Sequence, residues 1–113
     1  MKTDIIVTGG RDYDDWAMLQ DVLSAFDAKL IVQGGAQGAD RMARKYAEDN
    51  KIVSVTVEAN WNKHGRAAGP IRNREMLMEY PEAIVVAFPG GAGTANCVKQ
   101  AVELNRIVLM VHK

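Results

Sequence analysis

The sequence predicts one α/β domain: a Rossmann-like, three-layer fold with a five-stranded parallel sheet and helices on both faces. Three observations predict it. Short apolar runs, too continuous for half-exposed strands, alternate with segments of helical periodicity along residues 1 to 113. Each run is followed by a helix that can carry the chain back to the same end of the sheet by a right-handed crossover. Glycine-rich stretches follow the first, second and fourth runs, at the carboxyl edge where open α/β sheets hold ligands. The pattern leaves the strand order open.

Ile5-Ile6-Val7 reads as the first strand, and Thr8-Gly9-Gly10-Arg11-Asp12 as a loop with two glycines and a cation. With Asp14 or Asp15 as N-cap, Trp16, Leu19, Val22, Leu23 and Phe26 recur at helical spacing. Leu30-Ile31-Val32 is the second strand, and Gln33 to Asp40 a second glycine-rich turn, with Gly34, Gly35 and Gly38. Met42, Ala43, Tyr46 and Ala47 form the apolar face of the next helix. Ile52 to Val57 is a β-branched third strand. Glu58 to Gly69 is expected to be a polar loop carrying Trp61, His64 and Arg66, long enough in so small a domain to suggest a functional role. Pro70 fits the first turn of a helix that runs to Tyr80 and stops before Pro81.

The most informative stretch is Ala83 to Thr94. Ala83-Ile84-Val85-Val86-Ala87-Phe88 is a strand covered on both faces, and Pro89-Gly90-Gly91-Ala92-Gly93-Thr94 joins it to a helix beginning near Thr94. Gly90, Gly91 and Gly93 are expected to take positive φ and bring the backbone close to a ligand, beside the unpaired N–H groups and positive dipole of the helix start. An anion suits such a place. Val98, Ala101, Val102 and Leu104 form the apolar face of that helix, and Ile107 to Val111 is the last strand.

Fourteen basic and fourteen acidic residues cancel, so no global field attracts nucleic acid or an acidic membrane, and neither is an expected partner. Cys97 is alone and forms no intramolecular disulfide, and the N-terminus lacks a signal-peptide pattern, so a cytoplasmic location is expected. Two histidines and one cysteine make a metal site improbable, and no cofactor is expected.

The glycine loops match neither standard nucleotide motif. A P-loop needs Lys-Ser or Lys-Thr after its last glycine, but Gly38 is followed by Ala39-Asp40 and Gly93 by Thr94-Ala95. The dinucleotide fingerprint is missing after the first strand, and only Glu58, about twenty residues past Gly38, has the spacing of a ribose-binding acid. Arg11, Arg72 and Arg74 are candidate phosphate clamps. Asp40 suits either a cap on the second helix or a ribose hydroxyl. Cys97, on the opening turn of a helix, is read as packing.

Four stretches together carry a resemblance: Ile-Val-Thr-Gly-Gly-Arg-Asp at 6 to 12, Gly-Gly-Ala-Gln-Gly-Ala-Asp at 34 to 40, Ala-Gly-Pro-Ile-Arg-Asn-Arg-Glu-Met at 68 to 76, and Pro-Gly-Gly-Ala-Gly-Thr-Ala at 89 to 95. In order and over nearly the whole chain, they resemble the YspA-type, cpYpsA-related branch of the SLOG superfamily, whose relatives include the Lonely Guy phosphoribohydrolases and DprA. The resemblance implies a nucleotide or nucleotide-derived ligand. Its phosphate would rest on Gly90, Gly91, Gly93 and Thr94 with help from Arg74, while Gly9, Gly10, Arg11, Gly34, Gly35, Gly38 and Asp40 hold ribose or a second phosphate. In the phosphoribohydrolases a Glu soon after the loop threonine takes part in glycosidic cleavage, and here Asn96 and Cys97 stand in its place. Glu75 and Asp40 are then the carboxylates left for catalysis. A binder acting as sensor or sequestering protein is therefore expected ahead of an N-glycosidase for nucleoside 5′-monophosphates. Single-strand binding in the manner of DprA lacks its basic groove and stacking aromatics. A homodimer is expected from the habit of relatives, with the six methionines and two tryptophans available for its face.

Overall fold

The structure, a computed structural model, describes residues 2–112. The strands are β1 (Thr3–Thr8), β2 (Ala28–Gln33), β3 (Val53–Thr56), β4 (Ile84–Ala87) and β5 (Val108–Met110). The helices are α1 (Trp16–Ser24), α2 (Ala39–Asp49), α3 (Trp61–His64), α4 (Ala68–Glu79) and α5 (Ala92–Glu103), with a 3₁₀ turn at Gly65–Ala67. All five strands are parallel, in the order β3-β2-β1-β4-β5.

That order follows from the chain path. Moving outward from β1 to β2 to β3 by right-handed crossovers puts α1 and α2 on one face; returning past β1 to β4 and β5 puts α4 and α5 on the other. Side-chain alternation in β1 serves both layers. Ile5 and Val7 join Leu19, Leu23, Ala43, Tyr46 and Phe88 under α1 and α2. Ile6 joins Val32, Met76, Leu77, Val85 and Ala101 under α4 and α5. The central strands are thus buried on both faces, as their unbroken apolar runs predict.

Two expectations are corrected. The segment from Glu58 to Gly69 is not all loop: Asn60 Oδ1 accepts the Lys63 N–H at 3.0 Å and caps α3, and α4 begins at Ala68, two residues before Pro70. Pro70 still lies in the first turn, where no helical N–H bond is lost. The last helix begins at Ala92 rather than near Thr94.

The reversal of strand order between the parallel neighbours β1 and β4 brings their following loops together. Phe88 N–H donates to Thr8 O and Gly10 N–H to Pro89 O, both at 2.9 Å. The Gly10 carbonyl accepts from Tyr13 and Ala39 N–H, each at 3.2 Å. A Cβ on Gly10 would lie 3.0 Å from Pro89 O and from the Gly90 Cα, and one on Gly38 would collide with the Gly10 and Arg11 carbonyls. Gly38 also has φ 74° and ψ −124°, a conformation that essentially only glycine adopts.

Gly38→Ala should therefore lower the unfolding free energy by roughly 2 kcal/mol or more. Gly91→Ala, at φ −101° with open space where its Cβ would go, should change it by less than about 0.5 kcal/mol. Urea titration of the two variants beside the parent checks the contrast, and equal midpoints would contradict the interlocked loops.

Candidate functional site

The carboxyl ends of β1, β2 and β4 open into one cleft of about 1750 Å³. Ordinary small-molecule sites occupy about 300–1,000 Å³, so a small ligand would fill only part of it. Its lining sorts into two walls. Arg11, Asp12, Asp14 and Asp15 stand on the β1–α1 side, while Trp61, Arg66 and Arg72 come from the α3–α4 side and Gly90 to Thr94 from the start of α5.

The start of α5 is its most receptive surface. Gly91 is the N-cap and offers no side chain, so the first helical bond is Ala95 N–H to Gly91 O. The N–H groups of Ala92, Gly93 and Thr94 have no backbone or side-chain acceptor among the described residues. Three free donors and the helix dipole therefore meet at one edge of the cleft. Gly90, Gly91 and Gly93 do not take positive φ, contrary to expectation; Gly35, Gly38 and Gly65 do. At Gly91 and Gly93 the missing side chain matters because it leaves the approach to these donors open.

α4 holds this edge in place. Asn73, buried, donates through Nδ2 to Gly93 O and to Asn96 Oδ1, both at 3.2 Å, and Gln100 Nε2 donates to the same Asn96 oxygen at 2.8 Å. Asn96 thus serves as the acceptor that ties α4 to α5. Arg72 Nη1 donates to Gly34 O at 2.7 Å and its Nε to Asn73 Oδ1 at 3.0 Å. These bonds fix the guanidinium at the cleft wall with its Nη2 end uncommitted, and no ion pair among the described residues involves Arg72.

Asp40 is buried beside this arginine. One oxygen, Oδ2, accepts the N–H groups of Gly34 and Ala36, both at 3.2 Å, so the carboxylate shapes the β2–α2 turn. Burial raises its pKa to about 6, against the lowering effect of the Ala36 hydrogen bond, Arg72 and the Gly34 hydrogen bond. Cys97 is buried too, and desolvation pushes its thiol up to about 11, which fits packing rather than reactivity.

Of the residues expected at the site, Gly9, Gly10, Arg11, Gly34, Gly35, Asp40, Arg72, Gly90, Gly91, Gly93 and Thr94 line the cleft. Gly38 supports it from behind. Arg74 and Glu75 are exposed on α4 outside the lining, so the α4 arginine that lines the cleft is Arg72, one helical turn before Met76. Asn96, expected in the place of the catalytic Glu, also lines the cleft, as do Asn73 and His112, which the sequence pattern does not single out; Asn73 appears only within the stretch at 68 to 76. Trp16 packs on the α1–α2 core, with Lys45 Nζ 5.2 Å from its ring centroid, and Trp61 lines the cleft. Among the described residues, no three His, Cys, Asp or Glu side chains gather to hold a metal ion, and no helix is long and apolar enough to cross a membrane.

Residues 3–64 match the YspA, cpYpsA-related SLOG family. The chain is 34% identical over 109 residues to the Gene 61 protein of Mycobacterium phage D29, covering 86% of each. In structure it is similar to DNA processing protein A (DprA) from Streptococcus pneumoniae, with a TM-score of 0.76 and 16% identity over 98% of this chain. It spans half of that DprA chain, and at this identity the likeness is one of fold.

The Asp40 environment predicts a pH effect. A carboxyl whose pKa is higher in the folded than in the unfolded state stabilises the fold while protonated, and that contribution is lost as pH rises from about 4 through about 6. Asp40→Asn keeps an oxygen for the two N–H groups and removes the titration. Its stability relative to the parent should therefore rise by up to roughly 3 kcal/mol between pH 4 and pH 7. Urea unfolding at several pH values measures this, and a difference independent of pH would contradict the assigned burial.

Proposed function

Since the chain belongs to the YspA, cpYpsA-related SLOG family, we propose that it binds a nucleotide or nucleotide-derived phosphorylated ligand at the carboxyl edge of its sheet, as a sensor or sequestering protein. The observation carrying this reading is that the free N–H groups of Ala92, Gly93 and Thr94 and the Arg72 guanidinium line one cleft and are linked through Asn73, which bonds both Arg72 Nε and Gly93 O. Backbone donors at a helix start and a planar, permanently charged fork are the chemistry that holds a phosphate. The carboxylates of Asp12, Asp14 and Asp15 on the β1–α1 side disfavour a phosphate there, which adds weight to the α5 side.

Binding without turnover is favoured because the carboxylate expected after the loop threonine is replaced by Asn96, an amide that cannot ionise and whose oxygen already accepts two hydrogen bonds. Glu75, outside the cleft, is poorly placed to act on a ligand inside it. One observation favours the alternative, an N-glycosidase releasing base from a nucleoside 5′-monophosphate. Asp40 lines the cleft with a pKa raised to about 6, the range in which a carboxyl can serve as general acid or base near neutral pH.

Gly91→Val and Gly93→Val should fold, because their side chains project into open space, yet lose nucleotide binding by calorimetry at least ten-fold. Arg72→Ala should weaken nucleoside monophosphates far more than nucleosides, with Arg74→Ala close to the parent. Parental affinity in both valine variants would overturn the phosphate assignment. Incubation with purine nucleoside monophosphates should release little or no free base; robust release that disappears in Asp40→Asn would instead establish the glycosidase.

A further inference from the structure

Of the large apolar side chains that remain exposed among the described residues, Met18 and Trp61 line the cleft, while Val53, Met78, Val102, Ile107, Leu109 and Met110 do not. Trp61 is 56% exposed. α3, which carries it, contributes no buried residue to either core cluster. The turn is nevertheless well fixed: besides the Lys63 bond, the Asn60 carbonyl accepts the His64 N–H at 3.0 Å. An indole held in place and left open to a cleft needs a different account from one that packs.

Its placement supplies one. The tip of the ring, Cη2, lies 3.4 Å from where a Cβ on Gly69 would be, so the indole rests on the first turn of α4. Gly69 is one helical turn before Arg72 and Asn73, and Asn73 Nδ2 reaches Gly93 O at 3.2 Å. The ring and the phosphate donors are therefore separated by about one helical turn and one hydrogen bond, on the order of 10 Å. Over that span a ligand leads from anion-binding backbone to an aromatic face. Because nucleobases stack on indole rings with little dependence on their identity, an aromatic at this distance suits a base.

We propose that Trp61 is the platform on which the nucleobase stacks, so that the ligand crosses the cleft from the start of α5 to α3. The inference rests on the phosphate site proposed above, and the test separates the two. In Trp16→Phe, Trp61 is the sole tryptophan and its fluorescence reports on this ring alone. Adenosine, guanosine, cytidine and uridine 5′-monophosphates are titrated in turn, and ribose 5-phosphate serves as the baseless probe. At least one nucleotide should quench Trp61, whereas ribose 5-phosphate should bind by calorimetry without quenching. Trp61→Ala should weaken that nucleotide roughly ten-fold or more and leave ribose 5-phosphate unchanged, and Trp61→Phe should restore most of the loss. An unchanged nucleotide affinity in Trp61→Ala, or equal losses for both probes, overturns the platform while leaving the phosphate site standing. If neither probe binds the parent protein, the phosphate site fails and the platform with it.

Discussion

The backbone of Gly10 is the constraint on which the rest of the site depends. Its N–H is committed to Pro89 and its carbonyl to Tyr13 and Ala39, so one residue after β1 fixes the loop after β4, the approach to α1 and the first residue of α2. The closeness of these backbones excludes side chains at Gly10, Gly38 and Gly90: on Gly90 a Cβ would come within 2.6 Å of Gly10 N. The strand order β3-β2-β1-β4-β5 sets up the meeting, because β1 and β4 are neighbours whose helices depart to opposite faces. What remains between the departing helices is the cleft.

This clamping also decides which backbone groups are left for a ligand. The N–H of Ala39, the first residue of α2, is used by Gly10, and the N–H groups of Gly34, Gly35 and Ala36 before it are used by Asp40 and Gln33. The start of α5 keeps its donors free. Arg72, which lines the cleft, bonds to the Gly34 carbonyl through Nη1 and leaves Nη2 without a partner among the described residues. The β2–α2 loop thus binds its first three N–H groups and that of Ala39 within the fold, while the first three N–H groups of α5 stay free, although both loops have three glycines in the sequence.

The sheet, the element order and the location of the cleft were legible because apolar runs and helical stripes are long-range patterns that solvent exclusion imposes directly. Much of the site's detail was not. α3 is four residues long, too short to show a period, and its cap Asn60 reads equally well as a loop residue. The choice between Arg72 and Arg74 turns on which face of α4 is inward. Arg72 lies one turn before buried Met76, and Arg74 one turn before exposed Met78; the polar Asn73 within the buried stripe hid this face from inspection. Positive φ was expected at Gly90, Gly91 and Gly93 because glycine permits it. The fold needs the small size of Gly90 alone, leaves open space beside Gly91 and Gly93, and places positive φ in the preceding β2–α2 turn at Gly35 and Gly38.

The central claim is that the free N–H groups at the start of α5, with Arg72, are where this chain meets phosphate. Amide-resolved NMR during titration with ribose 5-phosphate tests it most directly, since a proton donating to an anion moves downfield. The account predicts the largest saturable downfield shifts at Ala92, Gly93 and Thr94, with a response at the Arg72 guanidinium and little change at Gly10 and Ala39, whose backbone N–H groups are already bonded within the fold. Saturable shifts centred on the β2–α2 turn, with the α5 amides unmoved, would contradict it.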